Sequence, residues 1–251
     1  TVTATALALD GKDEDPASTA VMVSCDLVSI NDCLREGVRQ AVRKQLPDLP
    51  PHCIFLSATH THTGRELPFS HDTLRQGGGG GVPDRYGIDL PVMDSQDYLE
   101  YAVQNIAGAV VDAWNKRRPG NVGFALGHAV VGHNRRVTYS NGASKMYGDI
   151  NDPDFRHVEG YEDHTVNLFG TWDDDDNLTG LVVNVACPAQ VSEQALQLSA
   201  DYWHETREEI RNRLGEDLYV MAQCAAAGDQ SPHLVGRQAT SPDRVAGKEN
   251  P

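Results

Sequence analysis

The residues best suited to do chemistry are two histidines one threonine apart, in Leu56-Ser57-Ala58-Thr59-His60-Thr61-His62-Thr63-Gly64. The run before them, Cys53-Ile54-Phe55-Leu56, is short, apolar and β-prone, which predicts a buried strand that ends at the polar tip. In extended backbone residues i and i+2 point the same way, so both imidazoles can address one point in space. Neutral imidazole is the commonest protein ligand for zinc-like ions, and it changes charge near neutral pH. Two surface histidines on a threonine-rich loop would have the same spacing, so the pair gains weight only from what other strands bring beside it.

Three more polar clusters follow apolar runs. They are Gly132-His133-Asn134-Arg135-Arg136, Cys187-Pro188-Ala189-Gln190 and Gly228-Asp229-Gln230-Ser231-Pro232-His233. In α/β sheets ligands gather at the carboxyl ends of strands, and four such exits point to an enzyme. Taken alone, Cys187 reads as a buried small hydrophobe, and Asp229 and Ser231 as turn residues. His128 and His133 read as hydrogen-bonded residues or spare ligands, and His164 and His204 as structural.

The elements that must position these clusters follow from periodicity. Strands are expected at 20–25, 53–58, 122–131 and 218–223, with a hairpin of 165–172 and 178–186 around the acidic turn Asp173 to Asn177. Those aspartates read as a solvated turn, because the spacing of a calcium loop is missing. Apolar steps of three and four predict helices over 29–46, 95–117 and 200–214. In the last, Trp203, Ile210 and Leu214 are expected inward, and Arg207 outward with the other charges. The segments 65–94, with the glycine run 77–81, and 138–163 read as long loops. The glycine run is no phosphate loop, since no strand precedes it and no Lys-Ser/Thr follows. The whole of 1–251 reads as one α/β catalytic-type domain, and its start inside a strand-forming run suggests a fragment of a longer chain.

With 251 residues, 39% hydrophobic and 23% charged, the chain has the composition of a globular protein. A net charge of −15 argues against a nucleic-acid or anionic-membrane partner. No apolar run approaches the roughly 18 residues of a transmembrane helix. Five cysteines without C-x-x-C spacing suggest neither a disulfide scaffold nor a zinc ribbon.

Two motifs carry a family likeness. Ser57 to Gly64 resembles the Thr-His-Thr-His-Ser-Gly motif of neutral ceramidases, zinc-dependent amidases of the neutral/alkaline nonlysosomal type. Gly228 to His233 resembles that family's Gly-Asp-Val-Ser-Pro-Asn motif. Asn134-Arg135 is similar to the family's Asn-Arg, and Ser199-Ala200-Asp201-Tyr202 to its Ser-Gly-Asp-Asn segment, in the same order from about Val21 to Leu234. The resemblance implies mixed sheets packed together with helices outside. It implies Zn2+ as cofactor, with His60 as a ligand, and His62 as a catalytic or oxyanion-facing histidine. It sets Arg135 near the reacting carbonyl and makes Ser231 the catalytic serine, either attacking or orienting water. The family's second ligand, a histidine, falls on Cys187, and thiolate is also a good zinc ligand. Its remaining ligands, a Glu and a Tyr, come later than this sequence extends, and its asparagine after Ser-Pro is His233 here. The implied reaction is hydrolysis of a linear amide (N-acyl) bond in a small-molecule or lipid-like substrate, in a secreted or periplasmic protein. Two other functions suit the same residues: a metal hydrolase acting on a carbohydrate or ester bond, and a noncatalytic relative serving as a binding module. The oligomeric state is left open.

Overall fold

A computed structural model of the chain describes residues 2–11, 18–65, 67, 93, 95–195 and 197–235. Most of the expected loop 65–94, including the glycine run, lies outside the described residues. Two sheets are each organised around one parallel pair bridged by a helix. In the first, β1 (Ala4–Asp10) runs antiparallel to β2 (Thr19–Cys25), and β2 runs parallel to β3 (Ile54–Ala58). Parallel neighbours need a crossover, and α1 (Asp32–Gln45) supplies it. Its first turn is capped by the Asn31 side chain, which accepts the Leu34 amide at 2.9 Å. Leu34, Val38, Ala41 and Val42, at helical spacing, face inward. The long α2 (Ser95–Asn115) lies against α1 and β1, and its Leu99, Ala102, Ile106 and Val110 close the core with Val21 and Val23. Cys53, expected in β3, belongs to a 3-10 turn that follows Pro50.

The chain then lays down β4 (Asn121–His128) and β5 (His133–Asn134). The segment 138–163 is not the irregular loop its polarity suggests. Together with Arg136 and Val137 it forms a small antiparallel sheet in the order β7-β6-β8, from β6 (Arg136–Tyr139), β7 (Ser144–Met146) and β8 (Phe155–Val158). Strands of three or four residues are too short to show an alternation above their polar background.

The hairpin forms as expected from β9 (Thr165–Trp172) and β10 (Leu178–Val185). In its turn the Asp173 carboxylate accepts the amides of Asp175 and Asn177, which pulls its pKa down. A second crossover, α3 (Trp203–Leu214), leads to β11 (Tyr219–Cys224), parallel to β10, and gives the sheet order β11-β10-β9-β4. Val220, Met221 and Ala222 of β11 are buried in succession, as in a strand covered on both faces. One side packs with Val183, Val185 and Trp203, and β11 also touches all three strands of the first sheet. The buried Ser24 hydroxyl donates to the Ala222 carbonyl across this junction. The last strand, β12 (Gln230–Ser231), pairs antiparallel with β5. The architecture is therefore mixed α/β, with two main sheets in contact and helices outside. Among the described residues no helix is long and apolar enough to cross a membrane.

The helix α3 departs from its sequence pattern. Leu214, expected inward, is 57% exposed at the helix end, next to the left-handed Gly215. Arg207, expected outward, is buried and forms a bidentate pair with Asp26 at 2.8 and 2.9 Å. Periodicity cannot see such a pair, because the partner is 181 residues away.

Candidate functional site

The exit of β3 is pinned by its threonines. Thr59 donates to Asp26, the carboxylate that Arg207 clamps, and Thr61 and Thr63 both donate to the Ser199 carbonyl, at 2.9 and 3.1 Å. All three threonines are buried, which leaves His60 and His62 to the opposite side. His60 has a left-handed φ of 60° and points Nδ1 at the Val28 carbonyl, 2.6 Å away. That contact requires a proton on Nδ1, so the neutral ring presents its lone pair at Nε2. The two rings meet edge to face with centroids 4.9 Å apart.

The loop after β10 runs beside this tip. The His62 amide donates to the Ala189 carbonyl, and the Ala189 amide to the Thr59 carbonyl. Gln190 then joins the two halves of the site. Its amide nitrogen donates to Glu193 at 2.8 Å, and Glu193 sits 3.6 Å from His62 Nδ1. Its side-chain oxygen accepts from Arg135 at 3.1 Å, and its carbonyl lies 2.9 Å from His233 Nε2. Asp201 fixes the loop that carries Glu193 by accepting the amides of Val191 and Ser192 and the Ser192 hydroxyl. Burial opposes ionisation of Asp201, but these hydrogen bonds outweigh it and its pKa is lowered.

Arg135 is buried at the centre. One guanidinium nitrogen donates to both Gln190 and the Tyr147 hydroxyl, and the other to the Gly228 carbonyl at 3.0 Å. Its Nε is buried without a partner, and among the described residues no carboxylate pairs with it. The Tyr147 hydroxyl donates onward to Ser231 Oγ at 3.1 Å, which also accepts the His233 amide at 3.1 Å. Ser231 is fully buried on β12, paired with His133. Arg135 and Ser231 thus belong to one hydrogen-bonded constellation, with His62 beside it through the 3.6 Å contact with Glu193 and His60 in ring contact with His62.

Cys187 lies beside this constellation but faces the core. Its side chain packs with Val185, Ala189 and Trp203, and Sγ contacts the carbonyls of Val131 and Pro188. Burial pushes its thiol up to about 12, against a lowering by Tyr202 and the Arg135 charge. The His62 imidazole is held below its ordinary value of 6.5, by burial first and then by His60, with Glu193 opposing. The donor chemistry of His60 fits a zinc ion, because its tautomer presents Nε2. The Cys187 thiol is turned to Val131. The one group of three mutually close His, Cys or carboxylate donors among the described residues is at His133, Glu162 and His164 instead.

The sequence pointed to five site residues but missed Tyr147, Glu193 and the central role of Gln190. Tyr147 sits in a polar stretch that looks like loop, and only its backbone marks it: φ is 53°, unusual for so bulky a residue. Of the four non-glycine residues with positive φ among those described, His60, Tyr147 and Asp201 lie in or under this site. Such backbone persists where surrounding contacts over-determine it, at roughly 1–3 kcal/mol each. An open cleft of about 520 Å³ begins at His62 and continues past Arg65, Tyr98 and Leu198.

No protein-family model matches the sequence, and no curated protein matches it. Solved structures do. A ceramidase complexed with C2 is 18% identical, with a TM-score of 0.63 over 85% of this chain and 31% of its own. The neutral ceramidase from Pseudomonas aeruginosa is also 18% identical, with a TM-score of 0.63 over 86% of this chain and 32% of its own. The chain therefore has the fold of part of a neutral ceramidase, and spans about a third of the length of those structures.

Proposed function

We propose that this chain carries the polar centre of a ceramidase-like hydrolase, which cleaves a linear amide (N-acyl) bond in a small or lipid-like substrate. The observation that carries the reading is the buried guanidinium of Arg135, which no carboxylate pairs among the described residues and which is linked through Tyr147 to Ser231. A buried cation without a counter-charge is costly, and a negative charge arriving with the substrate relieves that cost. The carbonyl oxygen of an amide under attack acquires such a charge, and a fixed donor in a water-poor site is most effective there.

The other residues take roles that their surroundings favour. His62, largely neutral at pH 7 because its pKa is lowered, accepts the proton of the attacking water and returns it to the leaving amine. Ser231 Oγ already accepts two hydrogen bonds, so it orients rather than attacks, and its own proton is available to the substrate oxygen. Gln190 and Glu193 hold Arg135 and His62 in mutual register. Tyr98 and Leu198 give the cleft beyond His62 an apolar wall for an acyl chain.

Zinc belongs to this reading with His60 as ligand through Nε2 and Cys187 as the second donor that motif order indicates. To serve, the Cys187 thiol must leave the Val131 carbonyl and give up its proton to the ion. When bound, the ion supplies Lewis acidity toward the carbonyl and water. The buried thiol also favours a second reading, a binding module without turnover.

The test is hydrolysis of a panel of N-acyl amides and matching esters by the purified chain with added Zn2+, alongside His60→Ala, Ser231→Ala and Arg135→Ala. Amide cleavage by the parent, lost in all three variants, is expected. Saturable binding of an N-acyl amide with no product supports the binding module, and turnover unchanged in Arg135→Ala refutes the hydrolase reading.

A further inference from the structure

Away from the His60 tip, His133, Glu162 and His164 converge. His133 is on β5, Glu162 and His164 just before β9, and all three are half-buried. One carboxylate oxygen, Glu162 Oε2, lies 3.3 Å from His133 Nδ1 and 3.1 Å from His164 Nε2. All three donor atoms lie within 4.8 Å of one another. Ligand atoms of a tetrahedral zinc-class ion stand about 2.0–2.2 Å from the metal, which sets them roughly 3.3–3.6 Å apart. Two of the three spacings here are already close to that. Read as hydrogen bonds instead, both imidazoles crowd one acceptor oxygen, and 3.3 Å is long for an N–H···O contact.

The carboxylate is oriented from behind. Its second oxygen, Oε1, accepts the Asn134 amide at 3.0 Å, and the Asn134 side chain is tied to Asp229 at 2.8 Å. Outer contacts of this kind fix the ligand before the ion arrives. We infer that His133 Nδ1, Glu162 Oε2 and His164 Nε2 form a binding site for a divalent ion of the zinc class, separate from the His60 site. Two imidazoles and one carboxylate select such an ion over calcium or magnesium, which prefer all-oxygen shells. The fourth position is open to water or to His128, whose ring stands 5.6 Å from that of His164.

The consequence is mechanical. His133 pairs with Ser231 across the β5–β12 bridge, and Arg135 follows two residues later. An ion here ties the segment before β9 to that bridge, so it stiffens the strand pair that carries Ser231 and directly precedes Arg135. It does so without touching the substrate.

The experiment is equilibrium dialysis of the purified chain against Zn2+, with Co2+ absorption as a second readout, for the parent, His60→Ala, His164→Ala and Glu162→Gln. Thermal melts without metal verify that each variant folds. His60→Ala is expected to keep one bound ion with the four-coordinate Co2+ spectrum, and His164→Ala to lose it. Glu162→Gln preserves shape and the Asn134 contact and should weaken binding about 10- to 100-fold or more, judged against the known cost of losing even outer contacts. Zn2+ should raise the melting temperature of His60→Ala, and that rise should vanish when His164→Ala is added to it. The inference is overturned if the parent takes up no zinc, or if folded His164→Ala and Glu162→Gln bind as the parent does. Because His60 is intact in those two variants, a failure here is distinct from a failure of the hydrolase reading.

Discussion

The chain holds two imidazole clusters, and they are built in opposite ways. His60 and His62 come from one loop at the exit of a parallel strand, and their neighbours do the positioning: Val28 sets a tautomer, three buried threonines hold the backbone, and Arg207–Asp26 locks the first of them. His133 and His164 lie 31 positions apart by their numbers, and a single carboxylate between them does the same work. The first cluster has two donors and a costly backbone. The second has three donors and ordinary backbone. A site whose backbone is strained ahead of time suits chemistry, whereas an unstrained, carboxylate-bridged one suits holding an ion.

The comparison can be broken from either side. The largest effect is expected for Asp26→Ala, which leaves Arg207 buried and unpaired and frees Thr59. Such a loss costs about 3–5 kcal/mol, read by urea or thermal unfolding. The matching pair near the second cluster, Arg136–Glu159, is more exposed, and Glu159→Ala should leave the unfolding midpoint nearly unchanged. Equal losses would refute the claim that only the first cluster depends on a buried ion pair.

Next in size is Arg135→Ala. It removes the charge offered to the reacting oxygen and should lower kcat of amide hydrolysis by about 100- to 1000-fold, with Zn2+ uptake at the second cluster kept. Loss of the ion as well would merge the two clusters into one site. Tyr147→Phe removes both hydrogen bonds of the relay between Arg135 and Ser231 and should cost about 1–2 kcal/mol, or roughly 5- to 30-fold in kcat, without change in Zn2+ binding.

The smallest effect is in pH dependence. His62 has a lowered pKa in the folded chain, so between that value and its ordinary 6.5 the unfolded chain binds more protons. Its contribution is present above pH 6.5 and is lost as pH falls through the folded value, so stability should rise with pH across that window. His62→Gln should flatten the slope in a pH series of melts, and an unchanged slope would show that His62 does not titrate with folding.

Much of the frame was legible because it is local. Steps of three and four in α1 and α2 and the acidic hairpin turn each depend on residues a few positions apart. His60, His62, Arg135 and Ser231 were legible for a similar reason, since short motifs at strand exits name their own residues. Three features were not. Arg207 looked solvated because its face of α3 is charged, and only Asp26, folded against it, makes that position interior. Cys187 carried two readings, a small core hydrophobe taken alone and a ligand by motif order, and only the fold shows the apolar side chains packed around it. Tyr147 carried no motif at all.

By itself, then, the sequence determined the helices and the longer strands, and which polar clusters stand at their ends. Periodicity and capping act within a few residues, so they can be read along the chain. Tertiary structure alone decided that Gln190 joins His62 to Arg135, that Tyr147 joins Arg135 to Ser231, and that Glu162 stands between His133 and His164. Those contacts depend on the register of β5 with β12 and on how the loops after β3 and β10 lie together, and no local pattern encodes either.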